Sequence, residues 1–344
     1  MKRITIVVCL LISPFILSAM QLPTAIAGDS SLKTGVTDRN FADSARSNWL
    51  GTGPRPLRSI IWYPAGDGGQ KEIINDPKQF SVPTPVFRDA RIMSGKKYPL
   101  ILISHGSQGN AQQMRWLGYY LASKGFIAVA INHNGTDKEE RKTNGMMLSE
   151  FCISERPMDI SVVLDKMLKD SIFASKIDTS RIAVAGFSLG GATAIWMAGS
   201  ILSLEQLEKG SAPPPELKKG IDAEIELAKT DPVIINSRKH LGDSFKDSRI
   251  KAVFALAPAI GQGFTKQSLE KITTPVQIVV GDADVVTPMA VNAQYYAQYI
   301  PSAKIIILHG ERGHYVRPTP DSVQAKQYQE VSGIALQFFK RTLR

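Results

Sequence analysis

Gly186-Phe187-Ser188-Leu189-Gly190 sets a serine between two glycines in the pattern G-x-S-x-G. The apolar run Ile182-Ala183-Val184-Ala185 leads in, and a helix-forming run beginning at Leu189 leads out. A serine on such a strand-to-helix turn is held in a strained conformation with its hydroxyl projecting, which is the posture of an acyl-transfer nucleophile. The glycines remove β-carbons where strand and helix approach most closely. The plainer alternative is a Gly/Ser-rich junction without chemistry. The strand and helix on either side favour the nucleophile.

A serine hydroxyl is weakly nucleophilic near neutral pH and needs a base, itself oriented by an acid. For this turn the expected order along the chain is serine, acid, histidine. Asp284, in Gly281-Asp282-Ala283-Asp284-Val285-Val286-Thr287-Pro288, follows the apolar run Val276–Val280 and is the expected acid. Asp282 is the alternative, and an aspartate here can also brace its own turn. His314, in Gly310-Glu311-Arg312-Gly313-His314, is the expected base. His309 is closer to the preceding strand and reads as structural, while His240 has no strand before it. The oxyanion requires two amide donors. Leu189 supplies one, and Ser104-His105-Gly106-Ser107-Gln108-Gly109 supplies the other through Ser107, with Gly106 as second choice. His105 lies inside this segment and reads as structural.

Positioning these residues takes a regular frame. Arg58–Pro64 reads as an early strand, and residues 65–97 as loops around short strands. Leu100–Ile103, Phe126–Ile131, Ile182–Ala185, Val253–Leu256, Val276–Val280 and Lys304–Leu308 are short continuous apolar runs, as strands buried on both faces require. Helical spacing falls between them at Ala111–Lys124, Pro157–Lys169, Leu189–Leu204, Pro288–Tyr299 and Ser322–Thr342. This alternation predicts an α/β protein with a mostly parallel central sheet and helices on both faces. Ligands then bind at the carboxyl ends of the strands, where every candidate residue lies. Residues 28–48 read as a loosely docked arm. Residues 205–248, with Pro213-Pro214-Pro215 and a helix expected over Glu216–Lys229, read as an insertion near the active-site end, either a cap or a surface excursion.

The amino terminus has the layout of a secretory signal: Lys2 and Arg3, an apolar run Ile4–Leu17, then Ala25-Ile26-Ala27. The expected organisation is a signal peptide over 1–27 and a single domain over 28–344, secreted or periplasmic. The apolar run is short for an anchor, and no second one follows, so no integral membrane segment is expected after cleavage. Losing Lys2 and Arg3 would lower the formal net charge of +10 by two. The basic residues are scattered, with no stripe interleaved with aromatics, which argues against nucleic-acid binding. Cys152 would be the single cysteine left, expected as a packed, inert thiol. No metal site and no cofactor is expected. Asp137, Glu139 and Glu140 alternate with Lys138, Arg141 and Lys142 as a solvated loop, and Gly66-Asp67-Gly68-Gly69 opens no helix.

The chain resembles the α/β-hydrolases, in particular the bacterial predicted dienelactone hydrolases related to platelet-activating-factor acetylhydrolase. The resemblance rests on Ile61-Trp62-Tyr63-Pro64, Ser104-His105-Gly106, Asn132-His133-Asn134-Gly135, Arg156-Pro157-Met158-Asp159-Ile160, the Ser188 turn, Ala255-Leu256-Ala257-Pro258-Ala259, Gly281–Pro288 and Gly313-His314. It implies the α/β-hydrolase fold, a Ser188–Asp284–His314 triad, metal-free ester cleavage, and His133 and Asn134 near the pocket mouth. Dienelactone hydrolases proper carry a cysteine nucleophile where this chain has serine, so the resemblance leaves the substrate open. The expected substrate is a small-molecule or lipid-like ester. A peptidase or amidase with the same residues, or a non-catalytic envelope binding protein, are the alternatives.

Overall fold

The computed structural model describes residues 31–136, 152–206, 226, 229–314 and 321–344. The expected signal peptide, the charged loop at 137–142 and most of the helix expected over 216–229 lie outside the described residues.

Ten strands form one sheet: β1 (Thr34–Ser47), β2 (Pro54–Pro64), β3 (Gln70–Ile74), β4 (Thr84–Arg88), β5 (Tyr98–Ser104), β6 (Ile127–Ile131), β7 (Ile177–Phe187), β8 (Ile250–Leu256), β9 (Val276–Gly281) and β10 (Ala303–Leu308). Their spatial order is β10-β9-β8-β7-β5-β6-β2-β1-β4-β3. From β10 to β6 every neighbouring pair is parallel, and β2 joins β6 antiparallel. This is the expected α/β architecture with a mostly parallel sheet. The strand order reverses around β5, so the ends of β5, β6 and β7 border a crevice.

Among the described residues the helices are α1 (Arg115–Ser123), α2 (Glu155–Met167), α3 (Leu189–Trp196), α4 (Pro232–Arg238), α5 (Lys266–Leu269), α6 (Ala293–Tyr299) and α7 (Asp321–Thr342). Alternation along the strands divides the core between the two sheet faces. Leu100, Leu102, Val129 and Val184 pack with Ile160, Val163, Leu164, Ile195 and Tyr296 of α2, α3 and α6. Ile101, Ile103, Ala128 and Ala183 pack with Leu117, Leu121, Val331 and Phe339 of α1 and α7.

Two stretches differ from expectation. Residues 34–47 are a full strand, not an arm, paired antiparallel with β2 from Thr34↔Pro64 to Asp43↔Arg55. The polar residues that make it read as an arm are ion-pair partners: Arg39 to Asp170 at 2.9 Å and Arg46 to Asp159 at 2.8 Å. The helix expected over Leu189–Leu204 ends at Trp196, because Gly199 turns the chain with φ +115°.

The described part of the 205–248 insertion is docked on the body of the fold. Asp231 caps α4, accepting from the amides of Val233 and Ile234 at 2.8 and 3.1 Å. Ile234 packs with Trp49 and Cys152 in a small cluster of its own. The Trp49 amide donates to Asn134 Oδ1 at 3.2 Å, which places this cluster beside the end of β6. Burial raises the Cys152 thiol pKa to about 12, as expected of a packed, inert cysteine.

Candidate active site

Ser188 joins β7 to α3 with φ 54° and ψ −118°, a conformation that side chains other than glycine rarely adopt. The surroundings overdetermine it. A β-carbon at Gly186 would overlap the Gly190 carbonyl, and one at Gly190 would overlap the carbonyl of Ser104. The Ser188 amide donates to Leu256 O at 2.9 Å, and its carbonyl accepts from Ala192 N and Ala259 N, both at 3.1 Å. The strain at Ser188 is thus carried by hydrogen bonds and by two glycines that cannot be replaced cheaply.

The residues expected to work with it converge. Ser188 Oγ lies 3.1 Å from His314 Nε2, and His314 Nδ1 lies 2.8 Å from Asp284 Oδ2. The carboxylate accepts, so Nδ1 carries the proton and Nε2 accepts from the serine hydroxyl. All three are buried, with Ser188 the most exposed at 7%. Phe187 packs against the His314 ring at 4.9 Å between centroids. Burial opposes ionisation of Asp284, but hydrogen bonds from His314 and Thr287 outweigh it and hold its pKa below the ordinary carboxylate value.

Asp282, the alternative acid, faces elsewhere. Its carboxylate accepts from the amides of Gly310 and Arg312 at 3.0 and 2.9 Å and braces the loop that carries His314. His309 is exposed beside it, and His240 pairs with Asp243 at the surface.

Leu189 is the first residue of α3, so its amide is one of the donors a helix leaves unused at its start. The loop after β5 runs beside the serine: a β-carbon on Gly106 would sit 3.4 Å from Ser188 Cβ. Ser107 follows on an exposed turn with Gln108 at φ 54°.

Three features were not foreseen. Thr287 donates its hydroxyl to Asp284 Oδ2 at 2.8 Å, and the amides of Val286 and Thr287 donate to Oδ1, both at 2.9 Å. The aspartate–turn–threonine spacing was visible, but its role depends on His314 closing over it. Trp49 packs against Gly135, where a β-carbon would overlap the indole. Most extensive is a buried polar network below the loop after β5. It contains His133, which is fully buried rather than at a pocket mouth, and reaches Arg46 and Arg55 through Asp159. Its contacts span more than a hundred residues of chain, so no local pattern announces it.

Among the described residues, no group of three or more His, Cys, Asp or Glu could hold a metal ion, and no helix is long and apolar enough to cross a membrane.

Comparison with known proteins finds esterase-type hydrolases. A family model described as PET hydrolase-like matches residues 47–213. A cutinase of Thermobifida alba is 26% identical over 208 residues, covering 60% of this chain and 49% of that protein. The platelet-activating factor acetylhydrolase of Cavia porcellus is 27% identical over 152 residues, covering 33% of this chain and 35% of that protein. A ferulic acid esterase structure from Streptomyces cinnamoneus superposes with a TM-score of 0.62 at 18% identity, covering 93% of both chains. The chain has the α/β-hydrolase fold. It spans about half the length, or less, of the curated relatives it matches.

Proposed function

We propose that this α/β-hydrolase is a secreted serine esterase that cleaves carboxylic esters through an acyl-enzyme. The observation that carries the reading is the continuous hydrogen-bonded line from Ser188 through His314 to Asp284, set on a strained strand-to-helix turn. In the first step His314 Nε2 takes the Ser188 proton as Oγ attacks the ester carbonyl. Asp284, fixed by Thr287 and two amides, orients the ring and stabilises its charged form. The amides of Leu189 and Ser107 receive the negative charge that develops on the carbonyl oxygen, each contributing about 3–4 kcal/mol. The protonated ring then returns its proton to the departing alcohol. Water, deprotonated by the same nitrogen, attacks the acyl group and frees Ser188.

The relatives named as cutinase, acetylhydrolase and ferulic acid esterase support an ester substrate. A dipeptidyl-peptidase of Porphyromonas gingivalis, 30% identical over 108 residues, keeps amide cleavage as the second reading. Secretion rests on the Lys2–Ala27 pattern. A fluorophosphonate probe tests the nucleophile: labelling mapped to Ser188 and absent from Ser188→Ala is expected, and an unlabelled wild type would refute the proposal. Matched ester and amide substrates then separate the two chemistries, with faster ester turnover expected.

A further inference from the structure

A second Ser–His–Asp line lies wholly inside the molecule. Ser104 Oγ is 2.9 Å from His133 Nε2, and His133 Nδ1 is 2.9 Å from Asp159 Oδ2. All three residues are fully buried. The Asp159 carboxylate accepts from Arg55 Nε and Nη2, both at 2.8 Å, and from Arg46 Nη2 at 2.8 Å. Arg46 also reaches Glu155 and Asp43, both at 2.6 Å. One network therefore ties β1, β2 and α2 to the ends of β5 and β6.

Its hydrogen atoms can be assigned. Asp159, held ionised by Arg55 and Arg46, can only accept, so His133 donates from Nδ1. Nε2 of the neutral ring then accepts, and Ser104 donates its hydroxyl. The neighbouring ring is fixed in the same way. His105 Nδ1 donates to Gly106 O at 2.7 Å, and its Nε2 accepts from the His133 amide at 3.3 Å. The two rings pack 4.9 Å apart. Arg156 donates to the carbonyl of His105 and to Ser104 Oγ.

These bonds converge on the Ser104–Gly106 backbone, which has two neighbours of consequence. The turn at Gly190 packs directly on the Ser104 and His105 carbonyls, and Gly106 passes beside Ser188. Whatever fixes this backbone fixes the distance between the nucleophile and the amides that follow His105.

Resting on the reading of Ser188 as nucleophile, we infer that the Asp159–His133–Ser104 line is a positioning relay that sets the oxyanion loop against the nucleophile turn. Ser104, His133 and Asp159 are positioning residues: none touches the reacting atoms. Their work is done through the peptide groups of His105 and Gly106.

The test is Ser104→Ala, which removes one hydroxyl and leaves the ion pairs intact. Misplacing the loop should lower kcat on a short-chain p-nitrophenyl ester roughly 10- to 100-fold. KM should stay within about twofold, because the ground-state ester gains little from the oxyanion donors. The rate of fluorophosphonate inactivation, which also builds charge in that hole, should fall in parallel. His133→Asn, which keeps an amide donor for Asp159 and loses the acceptor for Ser104, should show the same kcat loss. The double variant should lose no more than the weaker single, since both cut one link. If Ser104→Ala does not fold, Ser104→Cys takes its place. A folded variant with kcat within about twofold of wild type, or with the loss confined to KM, overturns the inference. Wild-type protein that neither turns over the ester nor labels at Ser188 removes the reading of Ser188 and, with it, this inference.

Discussion

The described residues contain two Ser–His–Asp lines of nearly equal hydrogen-bond geometry, and only one has the surroundings of a nucleophile. Ser188 and His314 are 3.1 Å apart, and Ser104 and His133 are 2.9 Å apart. The aspartate bonds are 2.8 and 2.9 Å. The difference lies in what surrounds them. Ser188 has a positive φ at the start of a helix, whereas Ser104 ends an extended strand with its hydroxyl enclosed. Asp284 is bonded by two amides and a hydroxyl, while Asp159 is gripped by two guanidinium groups. Burial, reinforced by the Arg156 charge, lowers the His133 pKa to about 4, so this ring stays neutral where a catalytic base must accept a proton. Triad geometry alone is therefore not a nucleophile. Access and a strained turn set Ser188 apart.

Substitutions at matching positions can break this contrast. The largest effect is expected for Ser188→Ala, which should lower ester turnover by roughly 10⁴- to 10⁶-fold in initial-rate assays while leaving the thermal midpoint near wild type. A comparable loss in Ser104→Ala would erase the distinction between the two lines. Asp284→Asn should lower kcat about 10⁴-fold by favouring the wrong His314 tautomer, at small cost in stability. Asp159→Asn should do the reverse in emphasis. It leaves the buried Arg55 with only Glu155, 3.9 Å away, as counter-charge, and should cost about 3–5 kcal/mol in denaturant unfolding.

Gly190→Ala forces a β-carbon onto the Ser104 carbonyl, where the two lines meet. It should cost about 1–3 kcal/mol, read from the denaturation midpoint, and lower turnover as well. The smallest effect is on acid stability. The folded pKa of Asp284 is depressed, so its contribution is complete above the ordinary aspartate value near 3.9 and is lost as pH falls through the lower folded value. Thermal midpoints measured at decreasing pH should show the stability advantage of wild type over Asp284→Asn shrinking below about pH 4. A constant difference would mean that Asp284 is not held below its ordinary pKa.

Much of the candidate site is legible in the sequence because its signals are local. A turn that must pass between a strand and a helix demands Gly186 and Gly190 within five residues. Asp284 and His314 each follow a short apolar run, and chain order assigns them. The sequence favoured Asp284 over Asp282, and the fold gives the reason: both carboxylates follow the same strand, and the direction of the turn sends one to His314 and the other to the Gly310 and Arg312 amides.

The residues missed are those whose partners lie far along the chain. β1 is polar enough to read as an arm until Arg46 finds Glu155 and Asp159, 109 and 113 residues away. His133 sits in a short motif, yet its role is set by Ser104, 29 residues before it, and Asp159, 26 after. Burying a charge is tolerable only when its partner arrives in the same place, and that arrival is decided by sheet order and helix packing. The sequence by itself determined the G-x-S-x-G turn, the alternation of strands and helices, and the order of the candidate acid and base, because backbone sterics and apolar periodicity act over a few residues. The tertiary structure alone decided which serine is accessible, that Asp159 meets His133, and what lies beneath the loop after β5, because burial and electrostatic partnership exist only once distant segments share one interior.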